Sequence, residues 1–212
     1  MAQPTNTFDT YDSVGEREDL SDVIYSISPT DTPFISSAAK TKATAVLHEW
    51  QTDALAAAAT NNAVIEGDEA TLDAVSATTR LSNSSQIMDK TVVITGTQES
   101  VDKAGRASEL AYQIAKKAKE LKRDMEATVT GNIQEVTGGS STARKMGTLG
   151  SWIETNDVFG AGGASGTAGN TARTDGTQRA FTEAQLKSVI KSVWNEGGDP
   201  SMIMVGPFNK QK

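Results

Sequence analysis

Val46–Leu55 (VLHEWQTDAL) scatters its apolar side chains singly among polar ones and reads as a strand, in which successive side chains point to opposite faces. Val46, His48, Trp50 and Thr52 share one face, and Leu47, Glu49, Gln51 and Asp53 the other. Both faces are mixed, as in a ribbon wet on two sides, which is marginal alone and needs something to lie on. Thr91–Thr95 (TVVIT) is the second strand-forming run, with a return path through Ala77–Met88. Between the two runs lie roughly thirty-five residues of Ala, Asn, Thr, Ser and acids, a length at which a structureless loop is uncommon and usually functional.

The period then changes. Leu110, Ile114, Ala118, Leu121, Met125 and Val129 recur every three or four residues, a narrow helical stripe. Thr95 and Gln98 stand at capping-box spacing, and Gly138-Gly139-Ser140-Ser141 makes a stop, so one helix over Gln98–Val136 is expected. At 1.5 Å per residue it would span roughly 55–60 Å. Asp102 with Arg106, and Glu120 with Arg123, would pair along its wet side.

Upstream, Met1–Arg17 reads as an extended arm, and Leu20, Val23, Ile24 and Ile27 place a short helix over Glu18–Ile27. Ser28 to Phe34, with Pro29 and Pro33, reads as a rigid double-proline turn. Downstream, Met146–Glu154 (MGTLGSWIE) reads as a strand and Gly160–Gly176 as a flexible loop. Thr182 and Gln185 cap a second helix with the stripe Leu186, Val189, Ile190, Val193 and Trp194, closed by Gly197-Gly198. Ser201–Val205 (SMIMV) reads as a short apolar strand. A layer opened by one helix and one strand is unfinished, so a fragment of a longer protein is expected.

Composition narrows the function. Of 212 residues only 37% are hydrophobic and 5% aromatic, a thin supply for a core of this length, so part of the chain should find its cover on a neighbour. Cysteine is absent, which excludes disulfides, thiol catalysis and cysteine-based metal centres. No run approaches the ~18 apolar residues of a membrane span, and the N-terminus lacks a secretory pattern. The net charge of -7 argues against a general nucleic-acid binder. Its distribution says more. From Glu49 to Asp73 every aspartate, glutamate, lysine or arginine is acidic: Glu49, Asp53, Glu66, Asp68, Glu69 and Asp73. From Lys103 to Arg123 the balance turns basic, through Arg106, Lys116, Lys117, Lys119 and Lys122.

No catalytic constellation forms. His48 is the single histidine, and a lone strand histidine is far more often a packing or surface residue than a catalyst. Ser37 with Lys40 and Ser188 with Lys191 both fit S-x-x-K, but two chance matches without the companion boxes show how weak that pattern is. The glycines of Gly160–Gly169 fit no phosphate-binding spacing. Glu66-Gly67-Asp68-Glu69 lacks the spacing of a calcium loop and reads as a solvated acidic tip. No enzyme, cofactor or metal is expected.

The order of parts, and the wording of Asp19-Leu20-Ser21-Asp22-Val23-Ile24, Ile27-Ser28-Pro29-Thr30-Asp31-Thr32-Pro33-Phe34 and His48-Glu49-Trp50-Gln51-Thr52-Asp53, resembles the major capsid proteins of tailed bacteriophages with the Hong Kong-type shell fold. The resemblance implies an α+β fold in four parts: an N-terminal arm and short helix (1–40), an extended β-hairpin loop (41–97), a peripheral domain with a spine helix, strands and the glycine-rich loop (98–180), and a partial axial αβ domain (181–212). It implies self-assembly into hexamers and pentamers of an icosahedral virion shell built in the host bacterial cytoplasm, with portal, scaffold or cement proteins and packaged DNA as further partners, and no membrane. Some members cross-link through a loop lysine, yet Ala43–Asp89 contains none, so cohesion should be non-covalent. Candidate intersubunit contacts are Trp50, Glu66, Asp68, Glu69 and Asp73 on the loop, and Lys116, Lys117, Lys119, Lys122 and Arg123 on the helix. The alternative is a flagellin-like filament protein, which shares the small polar composition but would need long terminal heptads that Met1–Glu16 lacks.

Overall fold

The strand expected around Trp50 forms as β1, Leu47–Thr52, in a computed structural model that describes Ile24 and residues 26–211. Its partner is β2, Thr79–Ser84, antiparallel in the register Leu47↔Ser84, Trp50↔Leu81 and Thr52↔Thr79. The partner expected from sequence, Thr91–Thr95, is not a strand. The paired run is the one whose second half packs onto the chain: Leu81, Ser82 and Asn83 are half-buried and Ser84 is buried, while Val93 is 89% exposed. Thr78 also ties the open end by donating to Gln51 Oε1 at 3.0 Å.

Six helices are present among the described residues: α1 (Pro33–Ser37), α2 (Gly96–Ser100), α3 (Glu109–Val129), α4 (Leu149–Trp152), α5 (Glu183–Asn195) and α6 (Pro207–Lys210). The single long helix is therefore corrected to two, with a joint over 101–108. Gly105 takes φ +76 there, a left-handed turn that interrupts a helix. The 21 residues of α3 span roughly 32 Å rather than 55–60 Å. Arg106 pairs with Glu109, and Lys117 with Glu120, in place of the expected partners.

Four further expectations change. Pro33 does not prolong a rigid turn; it opens α1, where its missing N–H costs nothing. Met146–Glu154 is not a strand, because Gly147 and Gly150 weaken one and the Thr148 carbonyl accepts from the Ser151 and Trp152 amides to start α4. The loop Gly160–Gly176 is folded, with bridges Ala164↔Thr174 and Thr167↔Thr171. Ser201–Val205 pairs with no strand, and its Met202 and Ile203 are 59% and 62% exposed. Met1–Arg17 and most of the Glu18–Ile27 helix lie outside the described residues; Ile24, Ser26 and Ile27 are in no helix.

The α5 expectation holds. Gln185 Oε1 accepts from the Thr182 amide at 3.1 Å. At the other end Gly198 N–H reaches Val193 O and Gly197 N–H reaches Trp194 O, the paired bonds of a Schellman stop. Two of its five stripe residues stay wet, Ile190 at 41% and Trp194 at 73% exposed.

The chain divides into two compact units, one containing the described residues of Met1–Asp31 with Asp89–Leu121, the other Thr32–Met88 with Lys122–Lys212. No hydrophobic side chain among the described residues is fully buried. The second unit is centred instead on Thr148 and Ser151, 1% and 0% exposed. Thr148 Oγ1 accepts from Ile133 N at 2.8 Å and donates to Gly131 O at 2.9 Å, and Ser151 donates to Thr148 O at 2.8 Å. Gly169 N–H bonds Ser151 O and its carbonyl receives Glu135 N–H, so the glycine-rich loop is laced to this polar centre. The Trp152 ring lies on Gly169, where an added Cβ would sit 2.8 Å from the indole at φ +80.

Candidate assembly interface

The hairpin root is fastened by four contacts to the segment around residues 135–152. Trp50 packs on Trp152 in a tilted pair, 5.1 Å between ring centroids and 41° between planes, with His48 5.8 Å from Trp50 along the same face. Asn83 pairs with Gly147 as a second backbone would: Nδ2 donates to Gly147 O at 3.0 Å and Oδ1 accepts from Gly147 N at 2.8 Å. Ser84 donates to Glu135, and Gln86 Oε1 accepts from Met146 N at 3.2 Å. Glu49 and Arg80 form an ion pair across the strands. Sequence reasoning placed Trp50 at an interface; the structure gives it an aromatic partner within its own chain.

Beyond that root the arm is bare. Residues 53–78 form no strand or helix and every one is exposed. Leu55, Leu72 and Val75 are 97–99% exposed. Asp53, Glu66, Asp68, Glu69 and Asp73 are its charges, with no basic residue among 53–78. Gly67, at φ +85, makes the tip turn, in which Asp68 N–H reaches Ile65 O at 3.1 Å. Asp68 Oδ1 in turn accepts from Glu69 N at 2.9 Å.

The five basic candidates all lie on α3, but they do not share one face. At about 100° per residue, Lys116, Lys119, Lys122 and Arg123 fall within an arc of about 120°, away from the apolar stripe. All four are exposed. Lys117 projects elsewhere, is half-buried, and donates to Glu120 at 2.6 Å. That hydrogen bond, with the charges of Lys117, Lys116 and Lys90, holds the Glu120 carboxyl below its usual range.

Several structural residues escaped the sequence reading. Glu126 accepts from the amides of Phe34 and Ile35, both at 2.8 Å, and so caps α1 from a distance. Asn132 pairs with both backbone groups of Arg173, at 2.8 and 2.9 Å. Of the residues once weighed for chemistry, Ser37 donates to Phe34 O at 2.9 Å, a local turn bond. Among the described residues no helix is long and apolar enough to cross a membrane.

The arrangement is a braced ribbon carrying an uncovered acidic arm, next in sequence to a helix with a basic face. Comparison with known proteins agrees with the resemblance read from the sequence. The major capsid protein of Escherichia phage Phieco32 is 41% identical over 126 residues, covering 59% of this chain and 36% of that relative. The matched stretch thus spans about a third of the relative's length, and nothing found supports a flagellin-like filament protein. The SU10 major capsid protein model matches residues 3–212, and the chain belongs to that family.

Proposed function

We propose that this chain is a structural, non-enzymatic subunit that self-assembles into the icosahedral head shell enclosing phage DNA. The observation that carries the reading is the arm: 26 residues (53–78) exposed throughout, with apolar side chains left in water and one sign of charge. Large apolar groups uncovered on this scale mark an interaction surface. In this reading the chain adopts the Hong Kong-type shell fold, with β1 and β2 as the root of the extended loop (41–97), α3 as the spine helix of the peripheral domain (98–180), and α5 opening the axial domain (181–212). Copies associate as hexamers and pentamers in the virion, assembled in the host cytoplasm, with portal, scaffold or cement proteins alongside and DNA inside.

Cohesion is non-covalent, through the acidic arm of one subunit lying on the basic face of another. Exposed ion pairs contribute only ~0–1 kcal/mol each. Repeated around a shell, together with burial of Leu55, Val64, Ile65, Leu72 and Val75, they fix register and partner choice. The triple change E66K/D68K/E69K removes that complementarity at a site with no contacts to the subunit's own packed centre. It is expected to leave the circular dichroism spectrum intact and to cut particle yield at least ten-fold by sedimentation and electron microscopy. Normal particles from this variant would sink the reading.

A further inference from the structure

Within the first compact unit a groove of about 370 Å³ runs beside α3, lined by Ile24, Ile27, Tyr112, Ala115, Lys116 and Lys119 together with two serines. One part of its lining is apolar and uncovered, Ile27 being 97% and Ile24 44% exposed. The other carries two exposed ammonium groups three residues apart on one helix, Lys116 also acting on the Glu120 carboxylate one turn on. The arm tip carries the complementary order. Val64 and Ile65 are 85% and 78% exposed, and the acids Glu66, Asp68 and Glu69 follow at once around the Gly67 turn.

We infer that this groove is the seat of the arm tip of a second copy: Val64 and Ile65 against Ile24, Ile27 and Tyr112, with the three carboxylates over Lys116 and Lys119. The inference rests on the reading of the arm as an intersubunit clasp and names where it lands. Two features argue for it together. The signs of charge are opposite, and the apolar-then-charged order of the tip matches the apolar and basic parts of the groove. Such matching steers encounter and fixes orientation even where single pairs contribute little. A basic helix face on its own would attract any polyanion; the adjoining apolar half prefers a peptide with paired aliphatic side chains.

The absence of cysteine makes the test clean. Ala63 adjoins the tip and Ala115 lines the groove, and both are exposed, so A63C and A115C leave every charge in place. The two variants, one of them tagged, are mixed under assembly conditions and oxidised. A63C is expected to form at least ten-fold more heterodimer with A115C than with A184C on α5. The change K116E/K119E in the A115C partner should abolish that excess, and E66K/D68K/E69K in the A63C partner should restore it. A photo-cross-linking amino acid in place of Ala63 separates the two levels of the argument. Capture of a neighbour outside the groove overturns this inference and leaves the clasp standing; capture only within the same chain removes both.

Discussion

The Glu126 carboxylate reaches back 92 and 91 positions to receive the amides of Phe34 and Ile35. Those two N–H groups belong to the first turn of α1, which has no side-chain cap of its own at Thr32. A five-residue helix cannot stand on local propensity, so its place is set by this carboxylate. Hydrogen bonds to a charged group contribute about 1.5–3 kcal/mol each. E126A should therefore release the segment, read as at least ten-fold faster hydrogen exchange at Phe34 and Ile35, while E126Q, which keeps one acceptor, loses less. Unchanged exchange at both amides in E126A would show that α1 is held by something else. No local signal in the sequence couples Glu126 to Phe34. The Thr182 and Gln185 cap was legible because its partners stand three residues apart; Asn83 with Gly147 and Asn132 with Arg173 were not, because each pairs a side chain with a backbone distant along the chain.

The joint between α2 and α3 shows why an element can be misread when its residues are read correctly. Every one of the first four amides of α3 has an acceptor: Glu109 and Leu110 donate to Glu99 Oε2 at 3.0 and 3.1 Å, Ala111 to Ser108 Oγ at 3.2 Å, and Tyr112 to Ser108 O. On the other side Lys103 Nζ donates to the carbonyls of Gln98, Glu99 and Val101 at the end of α2. A helix end and a helix start are both satisfied within the joint, so the break is built. Gly105 and Ser108 were its signals in the sequence, lying between the cap at Thr95 and the apolar stripe that begins only at Leu110. The Ser108 hydroxyl, then the Leu110 and Glu109 amides and the charge of Lys103, hold the Glu99 carboxyl below its usual range against the opposing pull of burial. Glu109 is lowered likewise, by Gln113 and then Arg106. A carboxyl lowered on folding stabilises the fold above its unfolded value of roughly 4.3 and loses that contribution as pH falls through the lower folded value. The start of α3 should therefore fray only below about pH 4, seen as acid-dependent loss of exchange protection at Glu109 and Leu110. E99Q should show weaker protection already at neutral pH and a smaller acid-dependent loss. Superimposable profiles for E99Q and the parent chain would remove Glu99 from this role.

At the scale of the whole molecule, the central fact is what the described residues bury: Thr32, Ser84, Glu109, Thr148, Ser151 and a set of glycines, with no fully buried hydrophobic side chain. The low hydrophobic content announced a thin core, and the periodicities located the helical stripes, but half of those stripes have no cover. Leu110 and Ile114 on α3 are 47% and 54% exposed, as are Met202 and Ile203 near the end of the chain at 59% and 62%. This is also why Thr91–Thr95 and Ser201–Val205 were over-read. Each has the apolar, β-branched or unbranched run of a strand, and neither finds a described strand to pair with, so composition alone could not say that the pairing was missing. In the shell proposed above a neighbouring copy covers these positions, and association of that kind stabilises by mass action. A chain at a hundred times its dissociation constant gains about 2.7 kcal/mol. In a chain of this size each kcal/mol moves the melting midpoint by roughly 2–4 °C, so a shift of roughly 5–10 °C is expected between dispersed and assembled protein. The dispersed chain should also bind a hydrophobic dye that it releases as shells form, because the same side chains that hold the dye are those the neighbour covers. Melting midpoint and dye fluorescence measured across a thousand-fold range of protein concentration decide the matter. If both stay constant across that range, the exposed apolar positions are not the assembly surface, and the subunit's stability resides wholly in its polar centre.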